Sequence, residues 1–141
     1  MTIAQGILAG IAVAVILAWT VRRESRAKER KISEAFAGRE SLPSEALYDR
    51  YFLGLGIKPE VVLGIRKILE EQLGADMSRL RAEDDFSQNL SFFWDFDSMA
   101  SIEIVLALEA HFQIRIADTE AEKTRTVSEL VQLVSAKVEG R

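Results

Sequence analysis

A chain of 141 residues has room for one ordinary domain and an accessory segment, not for two full domains. With no cysteine and a single histidine, His111, it offers no disulfide, no thiolate metal site and no His-rich metal centre. The net charge of −4 is segregated: residues 1–31 carry six basic and two acidic side chains, and the remainder carries twelve basic and twenty acidic ones. An acidic body of this kind attracts partners with basic docking surfaces, and no basic patch interleaved with aromatics argues for nucleic acid.

Residues 3–21 read IAQGILAGIAVAVILAWTV, with no charged side chain. As a helix they extend roughly 29 Å, close to the hydrocarbon thickness of a bilayer. A helix apolar all the way round reads as a transmembrane segment. A cleaved signal peptide would instead place basic residues before a shorter apolar run and small residues after it. Here Arg22, Arg23, Arg26, Lys28, Arg30 and Lys31 follow the run. Basic residues beside a span stay on the cytoplasmic side, which predicts a short N-terminus outside and the body of the chain in the cytoplasm. The same residues would rest on anionic membrane lipids, with Trp19 at the interface. Gly6, Gly10, Ala14 and Ala18 recur every fourth position, a small-residue face that admits close packing with another transmembrane helix.

Glu24 and Lys28 at i,i+4 carry the helix on past the membrane. The expected organisation is a transmembrane helix with a basic extension over residues 1–31, a helical linker over 32–56 and a domain over 57–141. A short helix is expected at 44–53, ended by Gly54 and Gly56. Pro59 suits a first helical position; Val62, Ile65, Leu69 and Leu73 then recur at helical spacing up to Gly74. Residues 75–89 read as a loop with a turn of helix at 78–80, followed by the aromatic cluster Phe92, Phe93, Trp94 and Phe96. A helix over 98–112 shows Met99, Ile102, Val105, Leu106, Leu108 and Phe112 on a broad apolar face. Thr126-Val127-Ser128-Glu129 is a capping box opening a last helix through Leu130, Leu133, Val134 and Val138. The whole predicts an all-α fold, one transmembrane helix followed by a bundle of about four helices.

No phosphate loop, nucleophile elbow or metalloprotease helix occurs, so nothing argues for catalysis or for a metal. Adjacent acids such as Asp84-Asp85 and Glu70-Glu71 read as solubilising faces. The informative place is Asp97-Ser98-Met99 at the head of the best helix. On residue types alone, Asp97 or Ser98 serves as an N-cap.

Over residues 59–138 the chain resembles the acyl carrier protein family. Asp97-Ser98-Met99 resembles the family's Asp-Ser-Leu, and residues 102–109, IEIVLALE, its recognition helix. Phe112, Ile114, Ile116 and residues 118–123 resemble the following loop and acidic third helix; residues 68–74, ILEEQLG, resemble the end of the first, and Phe86 and Leu90 its next two anchors. The sequence departs from the family in lacking a Gly shortly before Asp97, in Ala100 where an acid is common, and in extra aromatic residues between Leu90 and Ser98.

The resemblance implies a 4'-phosphopantetheine arm on Ser98, beside Asp97, installed from coenzyme A by a phosphopantetheinyl transferase. It implies acyl-transferring or synthase enzymes as partners, met through Met99, Ile102, Glu103 and Glu109. For the aliphatic residues, core packing competes with partner contact; for Phe92, Phe93, Trp94 and Phe96, plugging the bundle competes with an exposed patch. The expected function is a membrane-anchored carrier of acyl or related thioesters. Its rival is a carrier-like scaffold subunit of a membrane complex, with Ser98 an unmodified helix cap.

Overall fold

The computed structural model describes residues 2–141. It holds seven helices and, among the described residues, no strand: α1 (Ile3–Ala35), α2 (Ser44–Tyr51), α3 (Pro59–Leu73), α4 (Phe93–Phe96), α5 (Ala100–Phe112), α6 (Asp118–Lys123) and α7 (Val127–Glu139). The chain divides into two compact units, residues 1–34 and 35–141.

The first unit is a single helix that runs without a break from the apolar stretch into the basic one. It is long and apolar enough to cross a membrane, and the apolar stretch is not buried within the protein. Its start is a capping box that the sequence pattern had not revealed: the Thr2 N–H donates to Gln5 Oε1 (3.0 Å), and the Gln5 N–H to Thr2 Oγ1 (3.3 Å). The Thr20 hydroxyl donates to the Leu17 carbonyl (2.9 Å), which hides its polarity inside the helix. The Arg23 guanidinium lies 5.4 Å from the centre of the Trp19 ring.

In the second unit α3 is the central element. Pro59 opens it and Gly74 closes it in the left-handed conformation (φ 59°), its N–H bonded to the Glu70 carbonyl. Val61, Val62, Ile65, Ile68, Leu69 and Leu73 are all buried. Helices α2, α5 and α7 pack against it. At the crossing with α5, a Cβ on Gly64 would stand 2.7 Å from Phe112 Cζ, so glycine there permits the close approach.

Packing is continuous from Ala35. The segment expected as a linker carries the buried side chains Phe36, Leu42, Leu47 and Phe52, and α2 lies on α3. Arg39 reaches across to the buried Asp84, with Nη1 and Nη2 each 2.8 Å from a carboxylate oxygen. Asp84 also accepts from the Arg81 N–H (2.7 Å) and the Asn89 side chain (2.9 Å). Far from solubilising a surface, Asp84 is a buried, fully bonded hub.

The loop between α3 and α4 is a series of turns, with an i,i+3 bond from Met77 to Leu80 where a turn of helix was expected. Its second half pairs with the entrance to α7: Phe86 N–H donates to the Arg125 carbonyl (2.8 Å) and Val127 N–H to that of Asp84 (2.9 Å). Thr126 caps α7 by accepting the Glu129 N–H (3.1 Å), while the Glu129 carboxylate takes the N–H of Arg125 instead of that of Thr126.

Helix α5 differs from its expected form in two ways. It begins at Ala100, because the Asp97 carboxylate accepts the Met99 N–H (3.0 Å) and holds Ser98 and Met99 in a turn before the helix. Its inward stripe is Ala100, Ile104, Leu108 and Phe112; Met99 and Ile102 are 53% and 51% exposed, and Leu106 is exposed with them. The helix is apolar on both sides, so hydrophobicity alone did not reveal which side faces the core.

Candidate functional site

The site is the turn that joins α4 to α5. Asp97 has extended backbone (φ −149°, ψ 99°) that ends α4, and its carbonyl accepts the Ala100 N–H (3.2 Å). Its side chain bonds the Met99 N–H, and the residue in the N-cap position before α5 is Met99, which makes no side-chain cap bond. Ser98 is therefore not a cap. It is exposed, and its hydroxyl forms no hydrogen bond among the described residues. A nucleophilic hydroxyl in this position is open to a modifying enzyme, beside a helix N-terminus that favours an attached anion by about 0.3–1 kcal/mol.

Ser98 lines an open groove of about 480 Å3 together with Phe86, Ser91, Trp94, Ser101, Thr124 and Arg125. Phe86, Trp94, Ser101 and Thr124 also border a smaller apolar pocket of about 100 Å3, lined in addition by Ile104, Ile116, Leu130 and Leu133. The groove at the serine thus adjoins an apolar pocket lined from α5, α6 and α7, and the two share four lining residues. The Trp94 indole N–H, bonded to the Phe86 carbonyl (2.9 Å), fixes the shared wall. The residues fit a phosphopantetheine group: a free hydroxyl for the ester, a polar groove for the arm and an apolar recess for a cargo.

The aromatic cluster splits between the two roles weighed for it. Phe93 is buried and plugs the bundle, Phe92 and Trp94 are half-buried, and Phe96 is exposed beside Ser98. Met99, Ile102 and Leu106 are exposed as well, at helical spacing, with the exposed Glu103 next to Ile102 in the chain. Glu109 differs from them. It is half-buried, and its Oε2 accepts the Ile116 N–H (3.0 Å), holding the turn after α5.

Electrostatics around the groove are set by local bonds. The Ser87 hydroxyl and then its backbone N–H hold the Asp85 carboxyl below its ordinary range, with nearby Arg125 adding to the effect. Across the cavity, the Lys137 ammonium (2.8 Å) and then the Ala117 N–H hold the Glu120 carboxyl down, which ties α6 to α7. Arg125 escaped sequence reasoning. No periodicity marks it, and only the pairing of its carbonyl with Phe86 brings it to the groove.

Comparison with known proteins agrees with this geometry. The family model described as the phosphopantetheine attachment site matches residues 64–134, half of the chain. The acyl carrier protein of Thermosynechococcus vestitus is 33% identical over 79 residues, which cover 56% of this chain and 93% of that protein. The chain belongs to the acyl carrier protein family. Its domain is of the kind that takes a covalent 4'-phosphopantetheine, and it is a carrier, not an enzyme. Members of the family interact with phosphopantetheinyl transferases and with synthase or acyltransferase enzymes.

Proposed function

We propose that this chain is a membrane-anchored acyl carrier protein with its phosphopantetheine arm on Ser98. The observation that carries the reading is an exposed, unbonded serine that lines a groove adjoining an apolar pocket. The arm, when present, supplies a thiol that holds an acyl group as a thioester. The protein's own residues present Ser98 to the transferase through the Asp97 turn and offer cargo a recess walled by Ile104, Ile116 and Leu130. Each methylene sheltered there is stabilised by about 0.8 kcal/mol.

Helix α1 is the anchor, with the short N-terminus outside and the carrier domain cytoplasmic, as the basic residues after the span favour. Anchoring raises the effective concentration of cargo for membrane enzymes without any new contact. Gly6, Gly10, Ala14 and Ala18 offer a partner span a face for close approach. Phe96, Met99, Ile102 and Leu106 form the docking strip for cargo enzymes, with Glu103 toward basic groups at its rim. The organisation follows: residues 1–31 as the span and its basic extension, then the carrier fold. The rival, a scaffold with Ser98 unmodified, accounted for the serine as a helix cap, and Met99 holds that place instead.

The intact mass of the full-length protein purified from its native membrane tests this. Added phosphopantetheine mapped to Ser98 is the expected result. A bare polypeptide mass that persists after incubation with coenzyme A and a broad-specificity transferase would favour the scaffold. Protease accessibility in sealed vesicles tests the orientation: cleavage of residues 36–141 only after the cytoplasmic face is opened is expected.

A further inference from the structure

Between α2 and α3 the chain turns through Leu53-Gly54-Leu55-Gly56, ahead of residues 64–134 that match the family model. Gly54 and Gly56 both have positive φ (83° and 75°), so the turn depends on glycine at each place. Leu53 and Leu55 are 64% and 61% exposed, while Phe52 and Ile57 on either side are buried and pin the ends. The Tyr48 hydroxyl donates to the Ile57 carbonyl (2.7 Å). The Leu53 and Leu55 N–H groups donate to the Tyr48 and Phe52 carbonyls (3.1 and 3.3 Å). Taking the turn out of water therefore strands neither of these two N–H groups.

One exposed leucine is ordinary, but these two stand in a run without charge, residues 51–57, bounded by Arg50 and Lys58. The uncharged surface continues onto α7. A groove of about 390 Å3 there is lined by Leu55, Ile57, Gln132, Ser135 and Ala136, with no charged side chain among them. The flanking cations are matched by exposed acids: Arg50 bonds Glu40 (2.9 Å) and Lys58 pairs with Glu139 (3.8 Å). A partner selected by charge has little to hold here, whereas an apolar phase needs only the leucines. Residues 22–34 alone lie between the apolar stretch of α1 and the second unit, roughly 20 Å as helix. With α1 in a bilayer, lipid is the apolar phase that this short tether keeps within reach. Tyr51, half-buried beside the turn, supplies an amphipathic ring of the kind that favours the headgroup level.

We propose that the Leu53-Leu55 turn inserts into the interface of the bilayer that α1 spans. This rests on α1 being a membrane anchor. The basic residues of α1 are drawn to anionic headgroups, and the turn instead makes an apolar contact that salt does not weaken. Helix and turn together give the carrier domain two points of attachment, which restricts its rotation above the membrane.

The test uses the full-length chain in nanodiscs of phosphatidylcholine, with and without a nitroxide on the acyl chain, and reads methyl NMR signals. Leu17 and Val21 report on the anchor. The Leu53 and Leu55 signals are expected to lose about fivefold in intensity to the nitroxide, and those of Ile102 and Leu106 less than about twofold. High salt should leave this loss unchanged. The Ile57 signals should recover about twofold in the double variant Leu53→Ser, Leu55→Ser. Unchanged broadening of Ile57 in that variant would mean that the tether alone sets the distance, and it overturns the insertion. Broadened Leu17 and Val21 with unaffected Leu53 and Leu55 also overturn it and leave the anchor intact. Unaffected Leu17 and Val21 overturn the anchor, and the insertion with it. Leucines that stay sharp and shift only in nanodiscs holding two copies would place a second copy on the turn, which again overturns the insertion.

Discussion

Two aspartates in short turns, Asp84 and Asp97, make opposite use of the same chemistry. Asp84 is buried and accepts hydrogen bonds from Arg39, Arg81 and Asn89, which joins residues before α2 to the loop ahead of α4. Asp97 is exposed, and among the described residues its side chain bonds only the Met99 N–H and the neighbouring hydroxyl of Ser98 makes no hydrogen bond. In the first turn polar groups are consumed by the fold. In the second, the fold holds the backbone and leaves the Ser98 hydroxyl unengaged. A buried polar group must be satisfied from within, whereas an exposed serine that is neither cap nor bridge is free for chemistry.

Substitution at each turn separates the two roles. Ser98→Ala is expected to abolish phosphopantetheine loading completely, measured as intact mass, while changing unfolding free energy by less than about 0.5 kcal/mol, as for a surface site with no cap to lose. A loss of about 1 kcal/mol or more in urea melts would show that Ser98 does structural work. Asp84→Ala should do the converse. Removing one partner from a buried charged network costs on the order of 3–5 kcal/mol. The lower end is expected here because Arg39 keeps part of its side chain in solvent. Loading of the fraction that remains folded should be unaffected.

Gly64→Ala probes the crossing of α3 and α5, which fixes α5 beneath the Ser98 turn. Overpacking against Phe112 costs about 1–3 kcal/mol, and the better helix propensity of alanine returns about 1. A net loss of about 1 kcal/mol in a chemical melt is expected, and a gain would show that Phe112 moves aside freely. Thr126→Ala removes the cap of α7 and should cost about 1 kcal/mol.

What the sequence made legible was whatever repeats at helical spacing or ends a helix by a local rule. Pro59 and Gly74 bounded α3 correctly, Thr126 capped α7, and the resemblance around Asp97-Ser98-Met99 led to the right family. The orientation of α5 was not legible, because Ile102 and Leu106 are as apolar as Ile104 and Leu108. Asp84 and Arg125 were hidden for another reason. Their roles come from contacts between distant segments, Arg39 with Asp84 and Phe86 with Arg125, that no local pattern encodes.

The smallest effect expected concerns pH, and it bears on the wall of the apolar cavity instead of the serine. Glu120 on α6 bonds Lys137 on α7, and both helices contribute lining residues, Ala121 from the first and Leu130 and Leu133 from the second. Because Lys137 and the Ala117 N–H hold the Glu120 carboxyl below its ordinary value, the unfolded chain takes up this proton before the folded one does. The contribution is therefore fully present above the unfolded value, about 4.3, and is lost as pH falls through the lower folded value. The melting temperature of Glu120→Gln should lie below that of the wild type at pH 6, and the two should converge as pH falls below the unfolded value. A constant difference across that range would mean that the variant acts through packing. Convergence would make the α6–α7 clip a charged latch on the recess, in contrast to the Asp97 turn, which restrains the backbone and leaves Ser98 free.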